Sequence, residues 1–153
     1  MKRLIILIVA SLLAASSCAT NAAAVSPGSE AFTGGLKDRD WILAEIRTGS
    51  EIISIERPDF MADSFTIRFE ENRVSGMGAP NRFFGPYNQG AGNSISIGLL
   101  ASTLMAALFE LDDLKEHQYF AYLHRVSAWN IRNGLLELQA ADENNTPVFL
   151  IYR

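Results

Sequence analysis

The two histidines of the chain are the residues whose spacing comes closest to that of a metal site. His117 and His124 lie seven positions apart, so they share roughly one face if the segment is a helix, and Asp113 lies one turn before His117. Imidazole and carboxylate groups are ordinary ligands of zinc. Seven residues span about 10 Å along a helix, however, which is too far for both imidazoles to reach one ion. We therefore interpret these residues as a solvated helix face and expect neither a metal nor a cofactor.

Signals for other catalytic chemistry are weak. The chain contains no Gly-x-Ser-x-Gly segment of the kind that presents a nucleophilic serine. Glu70 and Glu71 are adjacent, so on a strand they would point to opposite faces and form a poor acid–base pair. Gly76 and Gly78 lack the further glycine and the helix of a dinucleotide-binding loop. The sequence favours a protein that is not an enzyme.

A small periplasmic hydrolase stays open as a second hypothesis. Its site would have to be assembled from polar residues that are distant in sequence. That hypothesis predicts a cleft in which at least two of Asn81, Arg82, Glu116 and His117 converge, with a perturbed carboxylate or imidazole. A non-catalytic module predicts instead that the concave face of the sheet is apolar or filled.

The amino terminus has the layout of an export signal. Lys2 and Arg3 supply a positive start, and residues 4–15 form an apolar run of about the length of a signal core. The run is too short for a transmembrane helix, which needs about 20 residues. Residues 15–18 read Ala-Ser-Ser-Cys, and small residues before a cysteine resemble a bacterial lipobox, although leucine is more common at the position of Ala15. We predict a signal peptide at 1–17.

Cys18 is the only cysteine of the chain, so it has no partner for an internal disulfide. A free thiol is a liability in an oxidising compartment, and acylation at a signal boundary explains it best. We predict that Cys18 carries a lipid. The alternative is an ordinary signal peptide cut near residues 22–24, which would discard Cys18. Ala19 follows where aspartate would signal inner-membrane retention, so the expected location is the outer membrane, facing the periplasm.

Composition and charge bound the rest of the chain. Residues 18–37 are mostly small and polar and predict a flexible lipid-anchored tether, followed by one domain at 38–153. Because Lys2 and Arg3 belong to the predicted signal, the mature chain has 11 basic and 17 acidic residues and therefore a net charge of −6. That balance argues against a nucleic-acid partner and against simple electrostatic docking onto anionic lipids.

Alternating apolar and polar residues predict strands through much of the domain. At 65–69, Phe65, Ile67 and Phe69 fall on one face, with Thr66 and Arg68 on the other. Further strands are predicted at 41–46, 52–56, 73–76, 94–98, 128–132, 135–140 and 148–152, with hairpin turns at 71–72 and 133–134.

The pattern changes in the middle of the domain. Residues 102–125 contain neither glycine nor proline, and Asp112 and Asp113 favour the start of a helix. A separate short helical segment is predicted at 102–109. Strands, one main helix and then strands again predict an α+β fold with an antiparallel sheet.

An ordered set of short motifs resembles the META domain, the HslJ-like family of small bacterial envelope proteins. The set comprises Trp41-Ile42-Leu43, Ser75-Gly76, Asn81-Arg82-Phe83-Phe84-Gly85-Pro86-Tyr87, Ser102-Thr103-Leu104-Met105-Ala106-Ala107, and then Glu116, Phe120 and Leu123. Where many members have cysteines, this chain has Ala79-Pro80 and Ala107, in agreement with its single cysteine. The resemblance implies a curled antiparallel sheet packed against one main helix.

The central motif is interpreted mainly as structural. Gly76, Gly78 and Gly85 are expected to supply backbone angles closed to other residues, and Asn81 to hold a tight loop. In an extended segment Phe83 and Phe84 must point to opposite sides, so one belongs to the core and the other to the surface.

A contact surface is the alternative role of the same motif. It would comprise Asn81, Arg82, Phe83 or Phe84, and Tyr87. The resemblance implies an exported envelope lipoprotein with a binding or stress-tolerance role. Its partner, an envelope protein or small ligand, and its oligomeric state are not specified by the sequence.

Overall fold

The structure of the protein is a computed structural model, and residues 35–153 are described. The predicted signal peptide, Cys18 and most of the predicted tether lie outside these residues. The strands are β1 (Asp40–Thr48), β2 (Glu51–Ser54), β3 (Thr66–Phe69), β4 (Arg73–Met77), β5 (Arg82–Gln89), β6 (Ile95–Ile97), β7 (Ala101–Ser102), β8 (Ala128–Arg132), β9 (Leu135–Ala141) and β10 (Pro147–Tyr152). Helix α1 spans Glu116–His124, and a short 3-10 turn spans Asp59–Met61.

The strands form one antiparallel sheet that is nearly closed into a barrel. Its order is β6-β5-β4-β3-β1-β10-β9-β8, with β2 added to β1 and β7 to β5. The two ends of this order meet, because the amide of Ile95 donates to the carbonyl of Ser127 at 3.1 Å and that of Trp129 to Asn93 at 3.0 Å. The predicted antiparallel sheet with one main helix is confirmed in outline, and the sheet is closer to closure than predicted.

Side chains of alternate strand residues fill the interior. On β1, Trp41, Leu43 and Ile46 are buried, and the interval changes from two to three because a bulge shifts the register between Leu43 and Glu45. Phe65, just before β3, is buried with Ile67 and Phe69 of that strand, as the alternation predicted.

Helix α1 lies against the sheet through its buried face. Tyr119 and Leu123 are fully buried, and the ring of Tyr119 makes an edge contact with Phe65 at 5.2 Å between centroids. The helix contacts β6 near one end of the sheet order and β9 near the other. It therefore packs across the place where the sheet nearly closes.

The start of α1 differs from the predicted one. Lys115 precedes the helix in an extended conformation, and its amide donates to Oε1 of Gln118 at 2.9 Å. Asp112 and Asp113 lie upstream of the helix and do not cap it. The short helical segment predicted at 102–109 is wrong, since Ala101–Ser102 is a strand and the following residues are irregular. The absence of glycine and proline permits a helix but does not compel one.

Two buried tyrosines make the stability of the domain sensitive to alkali. Burial raises the pKa of Tyr119 and of Tyr152 well above the ordinary value of 10.0, and the two hydroxyls are 3.2 Å apart. The folded state holds both in the neutral form, so their contribution is complete below the pKa of the unfolded chain and declines as pH rises above it.

We therefore expect the free energy of unfolding to fall steadily above about pH 10. Urea titrations at a series of pH values, with tyrosinate absorbance recorded in parallel, measure this. The expected result is that these tyrosinates form only as the protein unfolds. Titration of both hydroxyls near their ordinary pKa in a folded protein would contradict it.

Candidate functional site

The carboxylate of Glu116, the first residue of α1, closes over the loop between β4 and β5. Oε1 accepts hydrogen bonds from the amides of Ala79 at 2.7 Å and Asn81 at 2.6 Å. Oε2 accepts a third from Nδ2 of Asn81 at 2.7 Å. Bonds to an ionised carboxylate are stronger than neutral ones, so the first turn of the helix is fastened to this loop.

The Asn81 side chain connects the same loop to a third segment. Its Oδ1 accepts from Oγ1 of Thr103 at 2.8 Å and from the amide of Met105 at 2.7 Å, while Nδ2 also donates to the carbonyl of Met105 at 3.2 Å. We call Asn81 and Glu116, with these partners, the polar clamp. It joins the 79–81 loop, the 103–105 segment and α1, and Asn81 is only 6% exposed.

The glycines of the central motif have a different role from the expected one. None of Gly76, Gly78 and Gly85 has a positive φ. A Cβ at Gly76 would overlap the carbonyl oxygen of Thr66, and one at Gly78 would overlap the carboxylate of Glu116. A Cβ at Gly85 would lie 2.7 Å from the carbonyl oxygen of Leu99. These glycines allow other segments of the same chain to approach closely, and they do not supply unusual backbone angles.

The predicted contact residues divide between the interior and the surface. Phe83 is buried against Tyr119 and Phe120, and Tyr87 is buried with its hydroxyl donating to the carbonyl of Glu70 at 2.6 Å. Asn81 is also buried. As a correction to the expected surface, these three side chains face inward, which leaves Arg82 and Phe84 as its exposed members. The interpretation that Phe83 and Phe84 point to opposite sides is confirmed.

Arg82 and Phe84 lie in an open groove of about 580 Å³ on the outer face of β3, β4 and β5. Arg68 of β3 and Arg73 of β4 also line it, and we call this the arginine groove. The guanidinium of Arg73 lies 4.6 Å from the ring centroid of Phe84, a cation–π contact. Nη1 of Arg68 is 3.3 Å from Oδ1 of Asp40.

The sequence did not indicate that Arg68 and Arg73 belong to this surface. Strand register places Arg68 on the same face as Phe84, because Arg68 is opposite Ser75 and Ser75 is opposite Phe84. Arg73 precedes Ser75 by two positions and so shares its face. The alternation at 65–69 did place Arg68 on the outward face, which was the available signal.

The two histidines and the aspartate of the possible metal site are exposed to solvent. His117 and His124 are both exposed on α1, and Asp113 is exposed upstream of it. Residues 35–153 contain no group of three or more histidine, cysteine or acidic side chains placed to hold a metal ion.

Of the four residues that the hydrolase hypothesis names, Asn81 and Glu116 are in contact, but neither lines the arginine groove or the groove beside the 3-10 turn. Both oxygens of the Glu116 carboxylate already accept hydrogen bonds from the loop. His117 is exposed on the next position of the helix. This geometry indicates that the Glu116 carboxylate holds the 79–81 loop in place. The exposed polar side chains near the central motif belong to the arginine groove.

The described residues thus form a nearly closed antiparallel barrel with one helix, which the polar clamp fastens to the 79–81 loop. The model of the META domain matches residues 34–150, and the chain belongs to that family. The NMR structure of a protein from Burkholderia xenovorans is similar, with a TM-score of 0.58 and 20% identity over 92% of this chain and 99% of that one. This likeness concerns the fold. No curated protein matches the chain significantly.

Within residues 35–153, no helix is long and apolar enough to cross a bilayer.

Proposed function

We propose that the protein is a lipid-anchored, non-catalytic binding module of the bacterial envelope, held on the periplasmic side of the outer membrane. Its contact surface is the arginine groove, and its partner there is anionic. The observation that carries the proposal is the gathering of Arg68, Arg73 and Arg82 beside the exposed ring of Phe84.

The chemistry of the groove supports an anionic partner. An arginine presents a planar fork of donors that suits carboxylate and phosphate groups, and it keeps its charge at every physiological pH. The predicted mature chain carries a net charge of −6, whereas three arginines and one acidic residue, Asp40, line this groove, so the groove is a local exception to the overall field. Within the described residues, no ion pair involves Arg73 or Arg82. In this part of the chain, neither of these two positive charges is therefore neutralised by a carboxylate, and the guanidinium of Arg73 contacts the ring of Phe84.

Two features support a non-catalytic role. The Glu116 carboxylate, the acidic group nearest the central motif, is occupied by three internal donors. The interior of the barrel is filled by large side chains such as Trp41, Phe69 and Tyr152. Neither arrangement offers a substrate a free acid or base inside the sheet.

The anchor is tested by replacing the predicted acylation site. We expect Cys18→Ala to abolish partitioning into the detergent phase, while far-UV circular dichroism shows a folded domain. Ser17→Ala is the matched control, since a small residue there should leave processing intact. Mass spectrometry of the mature amino terminus gives the decisive readout. An unmodified terminus beyond residue 18 would contradict the lipoprotein proposal.

The contact surface is tested by photo-crosslinking in intact cells. A photoreactive phenylalanine analogue replaces Phe84 in the groove or, as a control, Ile52 on β2, which is also exposed. We expect a discrete adduct from position 84 and none from position 52. The same adducts from both positions, or none from position 84, would count against the arginine groove.

A further inference from the structure

A second groove, of about 350 Å³, lies between the 3-10 turn at Asp59–Met61 and the irregular segment after β7. The chain has four methionines, and the three besides Met1 all line this groove: Met61, Met77 and Met105. We call it the methionine groove. Methionine is unbranched and polarizable, so its side chain adapts to varied apolar partners.

Several large apolar side chains that line this groove are exposed to solvent. Phe60 and Phe109 are 68% and 63% exposed, with their rings 5.1 Å apart, and Leu108 is 89% exposed. Met105 is 61% exposed. Single exposed apolar residues are ordinary, but a contiguous group of this kind marks a surface that another molecule covers.

The charged residues that line the methionine groove are acidic. Asp59 and Asp63 line it, and no basic residue does so. The same aspartates also line an adjoining depression together with Arg57 and Arg153. Glu110, Asp112 and Asp113 are exposed in the segment that follows Phe109, where Glu110 pairs with Lys115 at 3.1 Å. An anionic lipid surface would be repelled by this rim, whereas lysine or arginine side chains would be attracted to it.

We propose that the methionine groove docks a cationic amphipathic protein segment. The apolar side chains of the segment would enter between Phe60 and Phe109, and its lysine or arginine residues would lie against Asp59 and Asp63. An amphipathic helix in an apolar groove is a common mode of peptide recognition. The groove has the opposite charge to the arginine groove, so this is a second site with a different partner, and it does not depend on the first.

The polar clamp holds one wall of this groove in place. The amide and carbonyl of Met105 are both bonded to the side chain of Asn81, so the backbone of this wall is fixed at one point. Beyond Met105 the segment is irregular and exposed up to Glu110. A fixed start and an exposed apolar continuation give the groove an anchored wall with adaptable side chains.

Methionine methyl NMR tests the proposal, because Met61, Met77 and Met105 are the methionines of the predicted mature chain and all three line the groove. The sample is the mature protein as purified, in zwitterionic nanodiscs if it is acylated and in free solution if it is not. The probe is an amphipathic peptide of leucine and lysine, and the control peptide has glutamate in place of lysine. We expect the methyl resonances of Met61 and Met105, which do not line the arginine groove, to shift and saturate with the lysine peptide and to stay fixed with the glutamate peptide.

Variants at exposed positions locate the binding without unfolding the protein. Phe109→Ser should weaken binding about ten-fold, as loss of one buried aromatic contact implies. Leu99→Ser removes an apolar side chain that is even more exposed than Phe109 but lies outside the groove, and it should change nothing.

Charge reversal supplies the second comparison. The Asp59→Lys and Asp63→Lys double variant should lose the lysine peptide and gain the glutamate peptide, whereas Glu143→Lys, at an exposed position away from the groove, should bind as the original does. Equal shifts of the Met61 and Met105 resonances with both peptides, equal weakening by Leu99→Ser and Phe109→Ser, or no movement of these two resonances would each overturn the proposal. So would resonances that respond to anionic vesicles and not to the peptide.

Discussion

Replacing Glu116 by alanine is expected to lower the free energy of unfolding by about 4 kcal/mol. The change leaves the amides of Ala79 and Asn81, and Nδ2 of Asn81, without their acceptor. Each is a donor in a part-buried site, and an unmade bond there costs about 1–3 kcal/mol, less where water can enter. Urea denaturation followed by tryptophan fluorescence measures the loss.

The glutamine variant separates a clamp from an active site. Glu116→Gln preserves size but puts an NH₂ group where an acceptor is needed, opposite either the backbone amides or the Asn81 amide. Asn81 cannot turn over freely, since its Oδ1 already accepts from Thr103 and Met105. We expect a loss of about 2 kcal/mol, whereas a carboxylate kept for catalysis commonly costs stability and its removal is neutral or stabilising.

His117→Ala is the matched control for both variants. His117 is the next residue of α1 and is exposed, so its removal should change the free energy of unfolding by less than about 0.5 kcal/mol. If Glu116→Gln were as stable as the original chain, the polar clamp would not be a structural device, and the hydrolase hypothesis would regain support.

Adding one methyl group at Gly76 should have an effect of similar size. The new Cβ would overlap the carbonyl oxygen of Thr66 on β3 and lie 2.8 Å from the ring of Phe83. Backbone within a sheet cannot move aside without breaking the β3–β4 ladder, in which Gly76 is paired with Ile67. We expect Gly76→Ala to lower the free energy of unfolding by about 3 kcal/mol, at the upper end of the usual cost of overpacking.

Gly92→Ala is the control that isolates the steric cause. Gly92 has a φ of +63° and open space around its Cβ position, so alanine there meets conformational strain of about 1 kcal/mol but no overlap. Thermal and urea unfolding of both variants gives the comparison. A smaller loss at Gly76 than at Gly92 would show that the β3–β4 contact yields easily, contrary to the geometry.

Much of the sheet could be predicted because its strands alternate. The Asn133-Gly134 turn between β8 and β9 has positive φ at both residues, as a two-residue hairpin turn of this type requires. By contrast, β5 was not predicted from the sequence, because Gly85 and Pro86 both disfavour strands. Pro86 has no N–H group to donate, but its carbonyl still accepts a hydrogen bond from the amide of Gly98 at 2.8 Å, so β5 can include it.

The site was harder to predict because long-range pairing creates it. Asn81 and Glu116 are 35 positions apart, and nothing local shows that a helix terminus will meet the loop. The 102–109 segment has helix-compatible composition, yet its amide at Met105 is bonded to Asn81 instead. A tertiary contact therefore overrode local propensity there. The inward turn of Tyr87 likewise follows from strand register, which a single motif does not reveal.

The proposed contact between the arginine groove and an anionic partner in the envelope can be measured in cells. The most direct measurement is the yield of crosslinked adduct in intact cells from a photoreactive residue at position 84, with Arg82 either retained or changed to glutamate. Arg132→Glu, at an exposed arginine on β8, is the matched control. The proposal predicts that Arg82→Glu removes most of the adduct while Arg132→Glu leaves it unchanged. An equal adduct in all three proteins would contradict it.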